Sequence, residues 1–112
     1  MVGGKGAQFA REQYSVYFGK HVVDKVWNAA ASLGYSSLFK QTEGYYITDD
    51  HYFINAIAHI PSIDIVPYLP HCKSSSFGPT WHTTQDNIEN IDKNVLDAVG
   101  KTLLSVIYNE KQ

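Results

Sequence analysis

One of the five histidines in this chain of 112 residues lies in a segment that could carry chemistry. His82 follows Trp81 in a loop rich in Gly, Pro and Thr, between a β-branched run and a long helical pattern. Such loops are where α/β proteins place many of their sites, and a neutral imidazole is a good zinc ligand. From the residues alone, His82 is either a ligand or catalytic group, or a capping or core histidine.

The other histidines indicate structural roles. His21 is expected to open a helix as a solvated or capping residue, and His59 lies at a helix end, where a cation is favoured. His71 is next to Cys72, the single cysteine, but two ligands do not make a metal site. His51 could orient the loop before it, and its role stays open. No Ser-His-Asp order, P-loop or H-E-x-x-H motif accompanies these residues.

The charge pattern excludes several partners. Nine basic and eleven acidic residues give a net charge of −2 without a basic cluster, so we expect no nucleic-acid partner. The apolar runs are too short for a membrane span, and no export segment is recognisable. The charged fraction of 18% is below the usual value of about 25%. Either the eight tyrosines and other polar residues replace the missing charge, or other protein covers part of the surface.

Three segments have a helical pattern. Apolar residues recur at helical spacing over 21–33, and Gly34 follows where a helix C-cap is expected. Asp49-Asp50 precede a short helix over 51–58, which ends before Pro61. Asp92 caps a longer helix whose apolar stripe comprises Val95, Leu96, Val99, Leu103, Val106 and Ile107.

Strands are fewer than helices in this pattern. The β-branched run 62–66, between two prolines, predicts a buried strand. Residues 44–48 are either a short strand or an extended approach to a site, and 67–79 are a loop. Two main helices, a short helix and about two or three strands predict an α/β layer. A parallel sheet would need a neighbouring strand that this chain hardly supplies, so we expect part of a larger mixed sheet.

Several motifs occur in an order that is similar to one family. The motifs are DDHYF at 49–53, IPSIDI at 60–65, and WHT at 81–83 followed by the Asp, Asn and Glu residues of 86–92. Together they resemble the C-terminal third of the zinc aminopeptidase and glutaminyl-peptide cyclotransferase superfamily. The resemblance covers about residues 44–108, and more loosely 1–43. It implies the C-terminal portion of a phosphorylase/hydrolase-like zinc-exopeptidase fold, with residues 1–112 as a single incomplete domain.

The resemblance also implies site residues. His82 corresponds to a zinc ligand, while Trp81 and Phe77 correspond to aromatic residues that shape the pocket for the glutaminyl end of the substrate. Asp49 corresponds to a member of the catalytic acid network. Asp64 lies where animal-type cyclotransferases have a histidine; we count it among the substrate-binding residues, and the proton relay stays open.

In a complete enzyme of this family, zinc would polarise the side-chain amide of an N-terminal glutamine. A glutamate would move the proton from the attacking amine to the leaving ammonia, giving pyroglutamate. That glutamate, the other zinc ligands and an aspartate expected just before Met1-Val2-Gly3 match no residues here. We therefore expect zinc in the complete enzyme but not necessarily on this chain, and no activity from this chain alone.

Two alternatives to the cyclase stay open. The chain could belong to a zinc aminopeptidase of the same superfamily, which acts on peptides with other N-terminal residues. It could also be a non-catalytic binding or assembly module that pairs with itself. We expect a homo-oligomer or association with the missing N-terminal part. Similar complete enzymes are often exported, which predicts a periplasmic or extracellular location for the complete protein.

Overall fold

Regular structure begins with a β-α-β unit in the computed structural model, which describes residues 2–110. Strand β1 (Phe9–Arg11) pairs in parallel with strand β2 (Phe39–Glu43), and helix α1 (Gln13–Ser32) connects the two. Parallel strands need a crossover connection, usually a helix, and α1 provides it. The expectation that this chain hardly supplies a neighbour for a parallel strand is therefore wrong.

The rest of the described chain is mostly loop with two helices. Helix α2 (Asp50–Ala58) is short, and helix α3 (Lys93–Tyr108) follows a 3₁₀ turn at Ile88–Asn90. Among the described residues, no helix is both long and apolar enough to cross a bilayer. Two main helices, one short helix and a two-stranded parallel sheet confirm the predicted α/β class.

Aromatic side chains join the sheet to α1. Phe9 is opposite Phe39 in the strand register, and their ring centroids are 5.1 Å apart. The Trp27 ring meets Phe39 edge-on at 5.2 Å, and its indole N–H donates to the Lys40 carbonyl at 2.8 Å. A buried indole needs such a partner. The core extends to the contact of α1 with α3 through Val23, Val26, Ala30, Val95 and Val99.

Helix α1 begins earlier than the apolar pattern predicts. It starts at Gln13 rather than at His21, which lies exposed in the middle of the helix. The Glu12 side chain caps the helix, and the small buried residues Ser15 and Gly19 interrupt the apolar spacing of its first half. The role of His21 as the opening residue is therefore wrong, because small buried residues give no hydrophobic signal.

The other helix boundaries follow local capping residues. Asp49 accepts the Asp50 N–H at the start of α2, and Asp92 accepts the Asn94 N–H at the start of α3. Gly34 has φ of +87° directly after the C-cap of α1, a conformation that favours glycine. These predicted ends are confirmed.

The predicted strand over 62–66 is wrong. Within the described part of the chain, these residues do not pair as a strand. Their backbone groups bond to side chains instead, since the Ser62 N–H donates to Asn55 Oδ1 at 3.0 Å and the Asp64 N–H donates to Ser15 Oγ at 2.9 Å. Hydrophobic and β-branched residues signal extended backbone, but they do not identify the partner of that backbone.

Two isolated antiparallel bridges tie the loops to the β-α-β unit. One joins Phe9 to Pro67, and the other joins Gly4 to Ile91. Residues 44–48 form no strand in the described part of the chain, so the first of the two alternatives given for them is wrong; the second, an extended approach to a site, stays a prediction. The comparison of Met1 with a family motif lies outside the described residues.

Candidate functional site

The predicted site residues lie in two groups. Asp49 caps α2, and Asp64 lies in the segment after that helix, where the negative charge of Asp49 helps to raise the pKa of Asp64. Phe77, Trp81 and His82 lie together in the loop before α3. The first group is acidic and the second is aromatic with one imidazole, so they could do different chemistry.

The aromatic group is a continuous stack. The ring centroids of Phe77 and Trp81 are 5.2 Å apart, and those of Trp81 and His82 are 3.7 Å apart with an interplanar angle of 14°. His82 has φ of +55°, in the left-handed region, which costs about 1 kcal/mol for a residue with a Cβ. Strained backbone of this kind occurs often at functional sites.

Stacking on Trp81 does not prevent the His82 imidazole from binding a metal ion. The nitrogen lone pair of a histidine lies in the ring plane, so stacking on the ring face does not block it.

Phe77 and Trp81 also line a cleft of about 200 Å³ together with Lys5 and Asp86. Pockets for drug-sized ligands are about 300–1,000 Å³. The cleft is therefore smaller than a pocket for a drug-sized ligand.

The residues of this chain do not fit a zinc ion by themselves. Within residues 2–110, no group of three or more His, Cys, Asp or Glu side chains lies close enough to hold a metal ion. A catalytic zinc takes about three protein ligands. His82 could therefore supply at most one of them.

The acidic group is built around a buried carboxylate that the sequence did not reveal. Glu12 is 2% exposed and accepts hydrogen bonds from the backbone N–H groups of Tyr14, Ser15 and Ile47 at 2.7–2.9 Å. The Ser15 hydroxyl also donates to it at 2.7 Å. Burial raises the pKa of Glu12, but these hydrogen bonds outweigh it and hold the pKa below its ordinary value. Glu12 is therefore an anion.

His51 lies between two carboxyl groups. Its Nε2 is 2.7 Å from Glu12 Oε2, and its Nδ1 is 3.8 Å from Asp64 Oδ2. His51 is 5% exposed. Burial raises the pKa of Asp64, and the negative charges of Asp49, Glu12 and Asp50 raise it further, against the opposing effect of His51. The histidine whose role was open is thus the centre of the acidic group.

Asp49 lies at the exposed edge of this group. Its Oδ1 accepts the Asp50 N–H at 2.8 Å, as a helix cap does. Its charge also acts on Asp64. Asp49 therefore has a structural role in α2, in addition to the catalytic role that the family resemblance implies.

Sequence reasoning missed Glu12 and the contacts of His51. Glutamate is not among the preferred N-cap residues, so the start of α1 gave no local signal. The only available sign was a carboxylate directly after an apolar strand and before a helix. The contact of Glu12 with His51 spans 39 positions and is not visible in a local pattern.

The chain is similar in fold and sequence to solved bacterial proteins. The glutaminyl cyclase of Bacteroides thetaiotaomicron, solved with bound N-acetylhistamine, is 51% identical with a TM-score of 0.93; the match covers 99% of this chain and 37% of that one. A leucine aminopeptidase precursor from Bacteroides thetaiotaomicron is 50% identical with a TM-score of 0.90, over 99% and 36% of the two chains. A Zn-dependent exopeptidase from Parabacteroides distasonis is 48% identical with a TM-score of 0.93, over 98% and 37%.

These similarities define a class of glutaminyl cyclases and zinc exopeptidases. A model of peptidase family M28 matches residues 1–107. The chain belongs to peptidase family M28, which confirms the resemblance found in its motifs. It spans little more than a third of the length of the solved relatives. None of the curated proteins compared with the chain matches it.

Proposed function

We propose that this chain is part of a zinc-dependent glutaminyl-peptide cyclotransferase. The observation that carries the proposal is the 51% identity to a glutaminyl cyclase over 99% of the chain. The stack of Phe77, Trp81 and His82 supports it, because it offers an aromatic wall beside a potential metal ligand. The substrate would be a peptide with an N-terminal glutamine.

The reaction joins two groups of one residue. The α-amine nitrogen of the glutamine bonds to the carbonyl carbon of its side-chain amide, and the bond from that carbon to the amide nitrogen breaks. The proton lost by the amine leaves with the ammonia. Trp81 and Phe77 would pack on the glutaminyl side chain and exclude water, which strengthens every charge interaction nearby. Asp49 would belong to the acid network and Asp64 to the substrate side.

The complete protein would hold zinc, and His82 would be one ligand. Residues 1–112 would then be one incomplete domain, with the remainder of the M28 domain as its partner. We propose that this chain alone is inactive, because the described residues supply too few metal ligands. Export to the periplasm or the cell exterior belongs to the same proposal; one relative is a precursor.

Two other functions have support from particular observations. The similarity to a leucine aminopeptidase precursor favours a zinc aminopeptidase, which would release free amino acids from peptides. Exposed apolar residues on α2 and α3 favour a non-catalytic assembly module. The aromatic stack is our reason for ranking the cyclase first.

A chimera tests the proposal. Residues 1–107 would replace the matching third of the Bacteroides thetaiotaomicron glutaminyl cyclase, and release of ammonia from a Gln-peptide would be measured beside release of free amino acids. We expect ammonia release from the chimera, with a loss of about a hundredfold in kcat/KM for Trp81→Ala and for His82→Ala. His71→Ala, in the same long loop, is the control and keeps full activity.

A folded chimera that releases amino acids but no ammonia would favour the aminopeptidase. A folded chimera without either activity would contradict both enzyme proposals. The unfused chain with added zinc provides a separate measurement, for which we expect no turnover. Robust metal-dependent turnover by that chain would overturn the proposal that it is inactive alone.

A further inference from the structure

The tautomer of His51 follows from its contact with Glu12. The Glu12 carboxylate is an anion that only accepts hydrogen bonds. At 2.7 Å from Glu12 Oε2, the His51 Nε2 must therefore be the donor and carry a proton. With Nε2 protonated, the other ring nitrogen, Nδ1, is the atom whose protonation depends on Asp64.

Two buried atoms of His51 and Asp64 face each other. Among the residues that the structure describes, neither His51 Nδ1 nor Asp64 Oδ2 has a hydrogen-bond partner. They are 3.8 Å apart. If neither carried a proton, two lone pairs would face each other away from water, which is unfavourable for both. One proton between them satisfies both atoms once a small rotation brings them to hydrogen-bond distance.

Ser15 provides a second connection between Glu12 and Asp64. The Ser15 hydroxyl donates to Glu12 Oε2 and accepts the Asp64 N–H at 2.9 Å. Glu12 is thus linked to the side chain of Asp64 through His51 and to its backbone through Ser15. Asn55 holds the same segment from α2 by accepting the Ser62 N–H and donating to the Ser62 carbonyl. The backbone of the segment that carries Asp64 is therefore held from both α1 and α2.

We propose that Glu12 and His51 are positioning residues for Asp64, which they hold through one proton shared between His51 Nδ1 and Asp64 Oδ2. Asp64 is then a carboxyl group that shares a proton with His51, rather than a carboxylate without a partner. The charges that face Asp64 favour this state, because Asp49 and Asp50 from α2 and Glu12 before α1 are all negative. With the shared proton, Glu12, His51 and Asp64 together carry a single negative charge.

The role of Asp64 toward substrate rests on the proposed function, whereas the shared proton does not. The proton is therefore tested first, by NMR on this chain with ¹⁵N-labelled histidine and ¹³C-labelled aspartate. We expect a protonated His51 Nε2 and an Asp64 carboxyl that titrates above its ordinary pKa of 3.8. A His51 protonated only at Nδ1 would overturn the proposal.

Three variants separate positioning from mere packing. Glu12→Gln removes a nearby negative charge and is expected to lower the pKa of Asp64, whereas His51→Gln removes the group that shares the proton and is expected to raise it. His59→Asn, at the other end of α2, is the control and leaves Asp64 unchanged. An Asp64 titration that is the same in all folded variants would contradict the proposal. If Glu12→Gln fails to fold, the His51→Gln comparison and the tautomer of the unmodified chain decide.

The chimera tests the role of Asp64, and of His51 as its positioning residue, in the reaction. Asp64→Asn and His51→Gln are expected to lower kcat about 10–100-fold, and His51→Gln to shift the pH profile in the direction that the NMR gives for Asp64. If the unmodified chimera is inactive but the NMR result is as expected, the proposed function is contradicted and the shared proton is supported. An active chimera whose kcat and pH profile do not respond to these variants would overturn the positioning role.

Discussion

At the scale of single residues, Glu12 connects stability to the acidic group. Its carboxylate oxygens accept hydrogen bonds from Tyr14, Ser15 and Ile47 as well as from His51. An amide in the same place would turn its NH₂ group toward donors in either orientation. One buried side chain therefore caps α1, anchors the extended segment before α2 and fixes the tautomer of His51.

The first prediction concerns Glu12→Gln. At neutral pH we expect the variant to lower the free energy of unfolding by about 3 kcal/mol, because buried donors lose a charged acceptor. Urea denaturation followed by circular dichroism measures this change. Glu89→Gln, at an exposed position of the 3₁₀ turn, is the matched control and should change stability little.

The pH dependence of stability gives the same prediction a second readout. The pKa of Glu12 is lower in the folded chain than its ordinary value of 4.5. Its contribution is therefore fully present above about pH 4.5 and is lost as the pH falls through the folded pKa. Glu12→Gln should remove this part of the acid sensitivity. An unchanged acid transition would show that the Glu12 carboxylate does not stabilise the fold.

The site residues that the sequence singles out differ from those that it misses in how far along the chain their partners lie. Trp81, His82, Asp49 and Asp64 lie in short motifs, so the sequence alone could single them out. Glu12 matters through contacts with residues far along the chain, and no local pattern records those contacts. Local motifs can therefore single out candidate ligands and acids, but not a buried group such as Glu12 whose partners lie far along the chain.

At the scale of elements, the kink of α1 is fitted to the segment that carries Asp64. Gly19 has non-helical φ and ψ of −135° and 42° inside the helix. A Cβ at this position would lie 3.3 Å from Ile63 Cγ2 and 3.5 Å from the Ser62 carbonyl oxygen. The glycine thus permits the close approach of residues 62–63 to α1, next to the contact of Ser15 with Asp64.

The next prediction compares two helical glycines. Gly19→Ala should lower the free energy of unfolding by about 1–2 kcal/mol, because the methyl group crowds Ile63. Gly100→Ala, in α3 with no atom of residues 2–110 within 4 Å of the added Cβ, should raise it by about 1 kcal/mol through helix propensity. Thermal and urea denaturation of the two variants would measure both signs. Stabilisation by Gly19→Ala would show that the kink is not needed for this packing.

Element prediction succeeded where the signal is local. The Asp caps of α2 and α3 and the glycine after α1 lie next to the helix ends that they define. Strands were harder, because pairing is decided by a distant partner. Strand β1 has three residues and was not predicted, while the β-branched run 62–66 bonds to side chains instead of a strand. The β-branched pattern predicted strand pairing there, and it could not identify side chains as the partners of this backbone.

At the scale of the whole molecule, two helices leave apolar residues in solvent. On α2 and directly after it these are Phe53, Ile54, Ile57 and Ile60, and on α3 they are Leu103, Leu104, Ile107 and Tyr108. Helical spacing places the residues within each helix along one side of it, and Ile60 follows the end of α2. The low charge fraction of 18% agrees with a surface that other protein covers. In the proposed complete enzyme that protein would be the remainder of the M28 domain.

Without such a covering layer, we expect this chain to associate with itself, and Ile57→Lys to weaken that association. Ile57 is 75% exposed, so a lysine there costs no core packing but places a charge in the apolar set of α2. The dimer Kd should rise about tenfold or more, which is about 1.4 kcal/mol, in sedimentation velocity over a range of concentrations. Ile88→Lys is the matched control, because Ile88 is 82% exposed but lies on the 3₁₀ turn outside both sets. A chain that stays monomeric at every concentration, or equal effects of both variants, would show that the apolar sides of α2 and α3 do not drive assembly.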